Sequence, residues 1–157
     1  MAVGAFTFTD PGMLAFLQGT IDIDTDTMVA VLVLNGHTPS VVNDDLYSDI
    51  SGNECTDSDY TASFAEGLVL TGMAWTSPSS RNFKLDGNAM DFGNSVTISA
   101  RYLYVVRRAG ASLVAGDLIL GYMDLNDGGG ANVSSTNGDF DVDWNAANGL
   151  FTLALTP

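Results

Sequence analysis

The stretch Val96-Thr97-Ile98-Ser99-Ala100-Arg101-Tyr102-Leu103-Tyr104-Val105-Val106-Arg107-Arg108 is the longest alternating run in the sequence. Its even-numbered positions hold mainly β-branched and aromatic side chains, and this period of two is typical of a strand with one face in a core. Full burial of such side chains contributes about 1.5–3 kcal/mol each. The pattern predicts a central strand over 96–108 that leaves the core at Arg107 and Arg108.

The composition indicates one β-rich domain. The chain has 157 residues, of which 46% are hydrophobic and only 15% are charged, and it contains 17 glycines. This length fits a single domain, and the apolar content argues against disorder. Because few charges are present to cover the surface, part of that surface is expected to be buried against partners.

The charge is strongly acidic and unevenly distributed. Nineteen acids and five bases give a formal net charge of −14, and all five bases lie between positions 81 and 108. Nucleic-acid binding needs basic side chains that neutralise phosphates and release counterions. We therefore expect no binding to nucleic acid or to anionic membranes, and the simplest interpretation is an acidic surface that favours solubility.

Neither a membrane span nor an export signal is expected. No apolar run approaches the roughly 20 residues that a spanning helix needs, and residues 1–6 lack a basic signal-peptide start. The single cysteine, Cys55, has no partner for an internal disulfide. A free thiol fits folding in a reducing compartment.

The rest of the chain is divided by turn signals. Asp10-Pro11-Gly12 predicts a turn, so residues 1–12 form an N-terminal arm that either folds back on its own body or lies on a neighbour. Residues 28–34 are nearly all apolar, which predicts a strand covered on both faces. One short helix is predicted within 42–50, capped by Asn43 or Asp44. Pro78-Ser79-Ser80 predicts a loop, and other strands or alternating segments are predicted over 67–76, 83–87, 117–125, 137–144 and 149–155.

These elements predict the fold class. We expect an all-β, single-domain β-sandwich or jelly-roll-like body over residues 13–157, with one short helix and the extended arm 1–12.

No catalytic set is evident in the sequence. His37 lies in a predicted turn and forms no local motif with Cys55, and the chain has neither a Gly-x-Ser-x-Gly elbow nor a phosphate-binding glycine loop. Asp22, Asp24 and Asp26 begin like an EF-hand loop, but Thr27 stands where that loop requires glycine. We therefore expect no enzyme activity, cofactor or metal.

Two further groups have simple interpretations. Asp139, Asp141 and Asp143 alternate with apolar residues and are expected to form a solvated acidic face. Five aromatic residues are candidates for a carbohydrate groove, but most fall at inward positions where core packing is expected. They are Trp75, Tyr102, Tyr104, Tyr122 and Trp144.

Several short segments occur in an order shared with a known class of protein. They are Leu17-Gln18-Gly19-Thr20-Ile21-Asp22-Ile23-Asp24-Thr25-Asp26-Thr27 with the apolar strand after it, Thr38-Pro39, Tyr47-Ser48-Asp49-Ile50, Tyr60-Thr61-Ala62, Thr97-Ile98-Ser99-Ala100-Arg101-Tyr102, Asp117-Leu118-Ile119 and Ser134-Ser135-Thr136-Asn137-Gly138-Asp139-Phe140, with a late Gly149. In this pattern the chain, from about residue 14 onward, resembles small structural proteins of tailed bacteriophages, of the head decoration (cement) type. Residues 1–12 and the glycines at 128–130 have no counterpart in the pattern.

The resemblance implies a non-enzymatic virion protein, made in the bacterial cytoplasm and docked on the outer surface of the head. Such proteins are β-rich, often trimeric, and clamp neighbouring major capsid protein subunits. The arm is then expected to place Phe6 and Phe8 against a neighbour or the shell. Arg107 and Arg108 make either a charge contact with a partner or an internal salt bridge. The alternative function is a tail or fibre module that binds a host receptor or glycan.

Overall fold

The computed structural model describes residues 3–60, 65–144 and 149–154, and in these ranges the fold is a single all-β domain, as predicted. Among the described residues, no helix is both long and apolar enough to cross a membrane. The elements in chain order are β1 (Thr7–Phe8), α1 (Asp10–Leu17), β2 (Thr27–Val33), α2 (Tyr47–Ile50), a 3₁₀ turn (Ser51–Asn53), β3 (Leu68–Val69), β4 (Ala74–Ser79), β5 (Asn82–Asp86), β6 (Met90–Asp91), β7 (Val96–Ala100), β8 (Tyr102–Arg108), β9 (Leu118–Asp124), β10 (Val133–Gly138), β11 (Asp141–Val142) and β12 (Phe151–Ala154).

A five-stranded antiparallel sheet in the order β1-β9-β8-β2-β3 organises the domain. Its three inner strands have seven residues each, whereas the outer strands β1 and β3 have two each. Smaller antiparallel sheets are formed by β10-β7, β11-β6 and β12-β5-β4. The larger core lies on one face of the five-stranded sheet and a smaller core lies on the other.

Strand β2 is buried on both faces, as its apolar sequence predicts. Met28, Ala30 and Leu32 belong to the larger core, whereas alternate residues such as Val29 and Val31 belong to the smaller core. Because side chains alternate across a strand, a run without polar residues supplies both cores at once.

The single strand predicted over 96–108 is wrong, because the chain bends at Arg101 and divides it into β7 and β8. β7 pairs with β10, whereas β8 lies between β2 and β9. Ala100 contributes to the larger core, but beyond the bend the odd-numbered Leu103 faces that core while the even-numbered Tyr104 faces the smaller one. Arg101 fixes the bend, since its amide donates to Val33 O at 2.8 Å and its guanidinium contacts Asp124 Oδ2 at 2.6 Å.

The turn predicted at Asp10-Pro11-Gly12 is also wrong, because these residues begin helix α1. Thr9 caps the helix by accepting a hydrogen bond from the Gly12 amide at 3.1 Å. Proline is tolerated in a first helical turn, where its missing N–H has no partner to lose. A Cβ at Gly12 would overlap the carbonyl oxygens of Ile119 and Leu120, so the helix packs tightly on β9 only with glycine there.

Other element bounds differ from the predictions. The helix within 42–50 shrinks to α2, whose N-cap is Leu46 rather than Asn43 or Asp44. The strand predicted over 67–76 is interrupted after β3, where Gly72 has φ +65°. Pro78, predicted in a loop, lies in β4, which is an edge strand where proline removes no ladder hydrogen bond.

Candidate functional site

The N-terminal strand carries two phenylalanines into an aromatic cluster of the same molecule. The ring centroid of Phe8 lies 5.1 Å from Phe6, 6.5 Å from Phe16 and 5.0 Å from Phe151. Phe16 and Phe151 each lie 6.1 Å from Trp75. We call these five half-buried residues the aromatic seam.

The described part of the arm, from residue 3 onward, therefore folds back on its own body; residues 1 and 2 lie outside the described ranges. β1 pairs with β9, with Thr7 opposite Tyr122 and Phe8 opposite Gly121. A contact of Phe6 and Phe8 with a partner stays a prediction, and it concerns only the part of each ring that the body leaves exposed.

The sheet β12-β5-β4 continues the apolar face of the seam beyond the core. Leu85 and Phe151 are directly paired, and Phe83 and Leu153 form the next pair on the same face. Leu85 is fully buried, whereas Phe83 is 38% and Leu153 is 42% exposed. The packed body covers one end of this face and leaves the other end open.

An arginine lies beside this open end. Arg81 occupies the turn between β4 and β5, is exposed, and has no ion-pair partner in the described part of the chain. We call Arg81, Phe83 and Leu153 the hairpin tip. A base without a carboxylate partner is notable in a protein with 19 acids and five bases.

Helix α1 adds exposed apolar side chains near the seam. Leu14 is 55% and Leu17 is 73% exposed. Their neighbour Phe16 stacks on Trp75, so this end of α1 adjoins β4. Apolar surface is therefore exposed on both the helix side and the sheet side of the seam.

The two adjacent arginines of β8 have different partners. Arg107 Nε contacts Asp26 Oδ2 at 2.7 Å, so the internal salt bridge exists for this residue. Burial alone would raise the pKa of Asp26, but hydrogen bonds from Arg107 and the Asp22 amide outweigh it and hold that pKa below its ordinary value. Arg108 donates to Glu66 O at 2.7 Å, and its buried Nε has no partner among the described residues.

His37 and Cys55, the only candidate catalytic pair, do not meet. His37 Nε2 lies 3.0 Å from Asp44 Oδ2, which also accepts from the hydroxyl of Tyr104 at 2.7 Å. His37 packs against the ring of Tyr104, which belongs to the smaller core, whereas Cys55 belongs to the larger core across the sheet. Burial raises the pKa of Cys55 to about 11, so the thiol stays protonated and unreactive at neutral pH.

The aspartates of the acidic clusters either accept hydrogen bonds within the fold or face solvent. Asp22 Oδ1 accepts from the Asp24 amide at 3.0 Å, and Asp26 accepts from Arg107. Asp141 is exposed, and its pKa is raised by partial burial and by the charges of neighbouring aspartates. Within the described ranges, no three His, Cys, Asp or Glu side chains are placed to hold a metal ion.

Comparison of the chain with models of known protein families, with curated proteins and with solved structures found no match.

The hairpin tip was not predicted from the sequence. The alternation around Phe83 correctly predicts a strand, but exposure depends on which part of the body covers that strand. The available signal was the position of Arg81, a base that follows 80 residues without one.

Proposed function

We propose that this protein is a non-enzymatic decoration protein of a tailed-bacteriophage head. In this role it binds the outer face of the shell as a homotrimer and stabilises contacts between major capsid subunits. The observation that supports the proposal best is the hairpin tip, where Phe83 and Leu153 are exposed beside Arg81, which has no ion-pair partner among the described residues. Exposed apolar surface rimmed by polar groups marks protein–protein contact sites.

The charge at the tip supports a protein partner. A surface with 19 acids repels other acidic surfaces at long range. Arg81 provides a local positive charge at the apolar tip, so a carboxylate on the partner would both orient the contact and relieve that repulsion. Arginine and aromatic residues are enriched in the centres of interfaces.

Buried polar groups in the described structure have evident structural roles, which supports a non-enzymatic function. The Tyr47 hydroxyl donates a hydrogen bond to Glu54 Oε2, and the Ala65 amide donates to Glu54 Oε1 at 3.3 Å. Asp44 similarly anchors His37 and Tyr104. These carboxylates join separate chain segments, as buried hydrogen-bonded groups usually do.

Labelling of particles tests the proposal first. Gold-labelled antibody should decorate the head regularly in negative-stain images. Label confined to the tail would contradict the decoration role and support the receptor or glycan module instead. The partly exposed Tyr102 and Tyr122 are the observation that favours that alternative.

Rebinding then tests the surface. Purified protein is added to heads that lack it, and the bound fraction is measured after sedimentation. The double variant Phe83→Ser, Leu153→Ser should bind at least about tenfold more weakly, since tenfold corresponds to ~1.4 kcal/mol. The control is Val42→Ser, which changes a valine that is 62% exposed elsewhere. Equal binding by all three proteins would show that the hairpin tip is not the contact.

Oligomeric state is a separate test. Sedimentation equilibrium of the free protein, and native mass spectrometry of protein released from heads, should both show a trimer. A monomer in both preparations would contradict the trimeric part of the proposal without affecting the labelling result.

A further inference from the structure

A groove with a volume of about 360 Å³ opens on the smaller-core side of the five-stranded sheet. Its floor is built by neighbouring strands, with Tyr102 on β8 directly opposite Asp124 on β9, and Tyr122 two positions before Asp124. The rest of the lining comes from the N-terminal segment, the connection after β2 and the turn after β9. These residues are Gly4, Ala5, Thr7, Pro39 and Asp127. We call this site the tyrosine groove.

The aromatic rings of the groove are held in place by packing. The rings of Tyr102 and Tyr122 are perpendicular, with centroids 6.4 Å apart. Tyr122 also stacks on Tyr104 at 5.3 Å, and Tyr104 is fixed in turn by its hydrogen bond to Asp44. Because the supporting residues are buried, the two rings need little rearrangement to receive a ligand.

The charge around the groove is negative. Asp124 and Asp127 line it, and Asp44 lies behind Tyr104. Arg101 contacts Asp124 Oδ2 at 2.6 Å, and its guanidinium carbon lies 5.4 Å from the centroid of Tyr102, whereas Asp44 contacts the imidazole of His37. The one guanidinium thus pairs with Asp124, and Asp127 has no ion-pair partner in the described part of the chain, so the lining keeps a negative charge.

Tyr122 stays neutral. Burial, followed by the charges of Asp44 and Asp124 and the neighbouring Tyr102, raises the pKa of Tyr122. Neutral phenol rings present electron-rich faces, which attract cations.

We infer that the tyrosine groove binds a small organic cation that carries a quaternary (trimethyl) ammonium group. Aromatic walls set at right angles to one another suit a bulky, weakly hydrated cation, and the surrounding carboxylates supply the opposite charge. Anionic ligands are disfavoured by the same carboxylates. This inference is independent of the proposed decoration role, because the groove shares no residue with the hairpin tip.

The probe is choline chloride, titrated into the full-length protein at constant ionic strength and followed by NMR of the tyrosine rings. The neutral comparison is 3,3-dimethyl-1-butanol, which has the same shape with carbon in place of the charged nitrogen. We expect saturable shifts at Tyr102 and Tyr122, with choline binding about tenfold more tightly than the alcohol, as one or two cation–π contacts would give. Equal affinities, or shifts that do not saturate, would overturn the inference.

Variants separate the contributions of the rings and the carboxylates. Tyr122→Phe keeps the aromatic face and should bind choline within about twofold, whereas Tyr122→Leu should bind several-fold more weakly. Asp127→Asn should weaken binding about threefold, and the matched control Asp24→Asn, which removes an exposed charge elsewhere, should leave it unchanged.

Two results would contradict the site. Equal losses for Asp127→Asn and Asp24→Asn would show that choline responds only to the general acidity of the protein. Saturable binding of a neutral monosaccharide in the groove, without a choline response, would assign it to a glycan instead.

Discussion

Replacement of Gly121 by alanine should detach the N-terminal strand and leave the rest of the fold intact. Gly121 lies in β9 between Phe8 of β1 and Val105 of β8. A Cβ at this position would overlap the Thr7 carbonyl oxygen and come within 2.7 Å of Phe6 Cζ. Since β8 is an inner strand and β1 is a two-residue edge strand, β1 is the element that must move.

The expected loss of stability follows from the contacts that β1 makes with the rest of the fold. Phe6 and Phe8 are half-buried, so each contributes about half of the ~1.5–3 kcal/mol for full burial. The hydrogen bonds from the Gly4 amide to Asp124 O and from the Thr9 amide to Leu120 O add ~0.5–1.5 kcal/mol each. Freed backbone regains conformational entropy that offsets part of this sum. We therefore expect Gly121→Ala to lower the free energy of unfolding by ~1–3 kcal/mol, the usual range for an overpacked site.

Urea denaturation and amide hydrogen exchange measure the two parts of this prediction. The Gly4 and Thr9 amides should exchange faster in the variant. The protection factors of amides in β2 and β8 should fall only by the amount that the change in global stability explains. Gly116→Ala is the control, because a Cβ there meets no atom within 4 Å. It should change stability by less than ~0.5 kcal/mol. Unchanged stability and exchange in Gly121→Ala would refute the packing of β1 on β9.

Three further predictions follow from buried polar groups. Cys55 should react with a thiol reagent only at the rate of unfolding, because its thiol is buried with a pKa of about 11; fast labelling of the native protein would contradict this. Tyr104→Phe should lower the free energy of unfolding by ~1.5–3 kcal/mol through loss of the hydrogen bond to Asp44, whereas Tyr102→Phe should cost less than ~0.5 kcal/mol in the same urea assay. Burial raises the pKa of Glu54 despite its hydrogen bonds, so its contribution to stability is fully present below the unfolded pKa of ~4.3 and is lost as the pH rises through the folded value. Urea titrations from pH 4 to 7 should show that the free energy of unfolding falls less with rising pH in Glu54→Gln than in the wild type. Parallel curves for the two proteins would show that Glu54 does not cause the fall.

The fold class was predictable because composition and alternation act locally. Residues 28–34 contain no polar side chain, and this alone predicts burial on both faces of β2. The same signal was present at 103–106, where four apolar or aromatic residues occupy successive positions. The longer alternation that begins at Val96 favoured a single strand instead. The bend at Arg101 depends on contacts with Asp124 and Val33, and both residues are distant from it in sequence.

The candidate site was less predictable, because exposure depends on tertiary contacts. Phe6 and Phe8 are aromatic residues close to the N-terminus, but whether they pack on the body depends on the space left at Gly121. Phe83 follows the same alternation as Leu85, yet only Leu85 is covered. The helix start at Asp10 was signalled by Thr9 and Pro11, although the following glycine favoured the interpretation as a turn.

The short outer strands of the five-stranded sheet affect how copies of the protein meet when they are crowded together. A long edge strand offers a row of free amide and carbonyl groups, to which the edge of another molecule can add. Here the seven-residue strands are all internal, and in the described part of the chain β1 and β3 offer only two residues each. Copies of the protein at high local density are therefore not expected to join edge to edge through the five-stranded sheet.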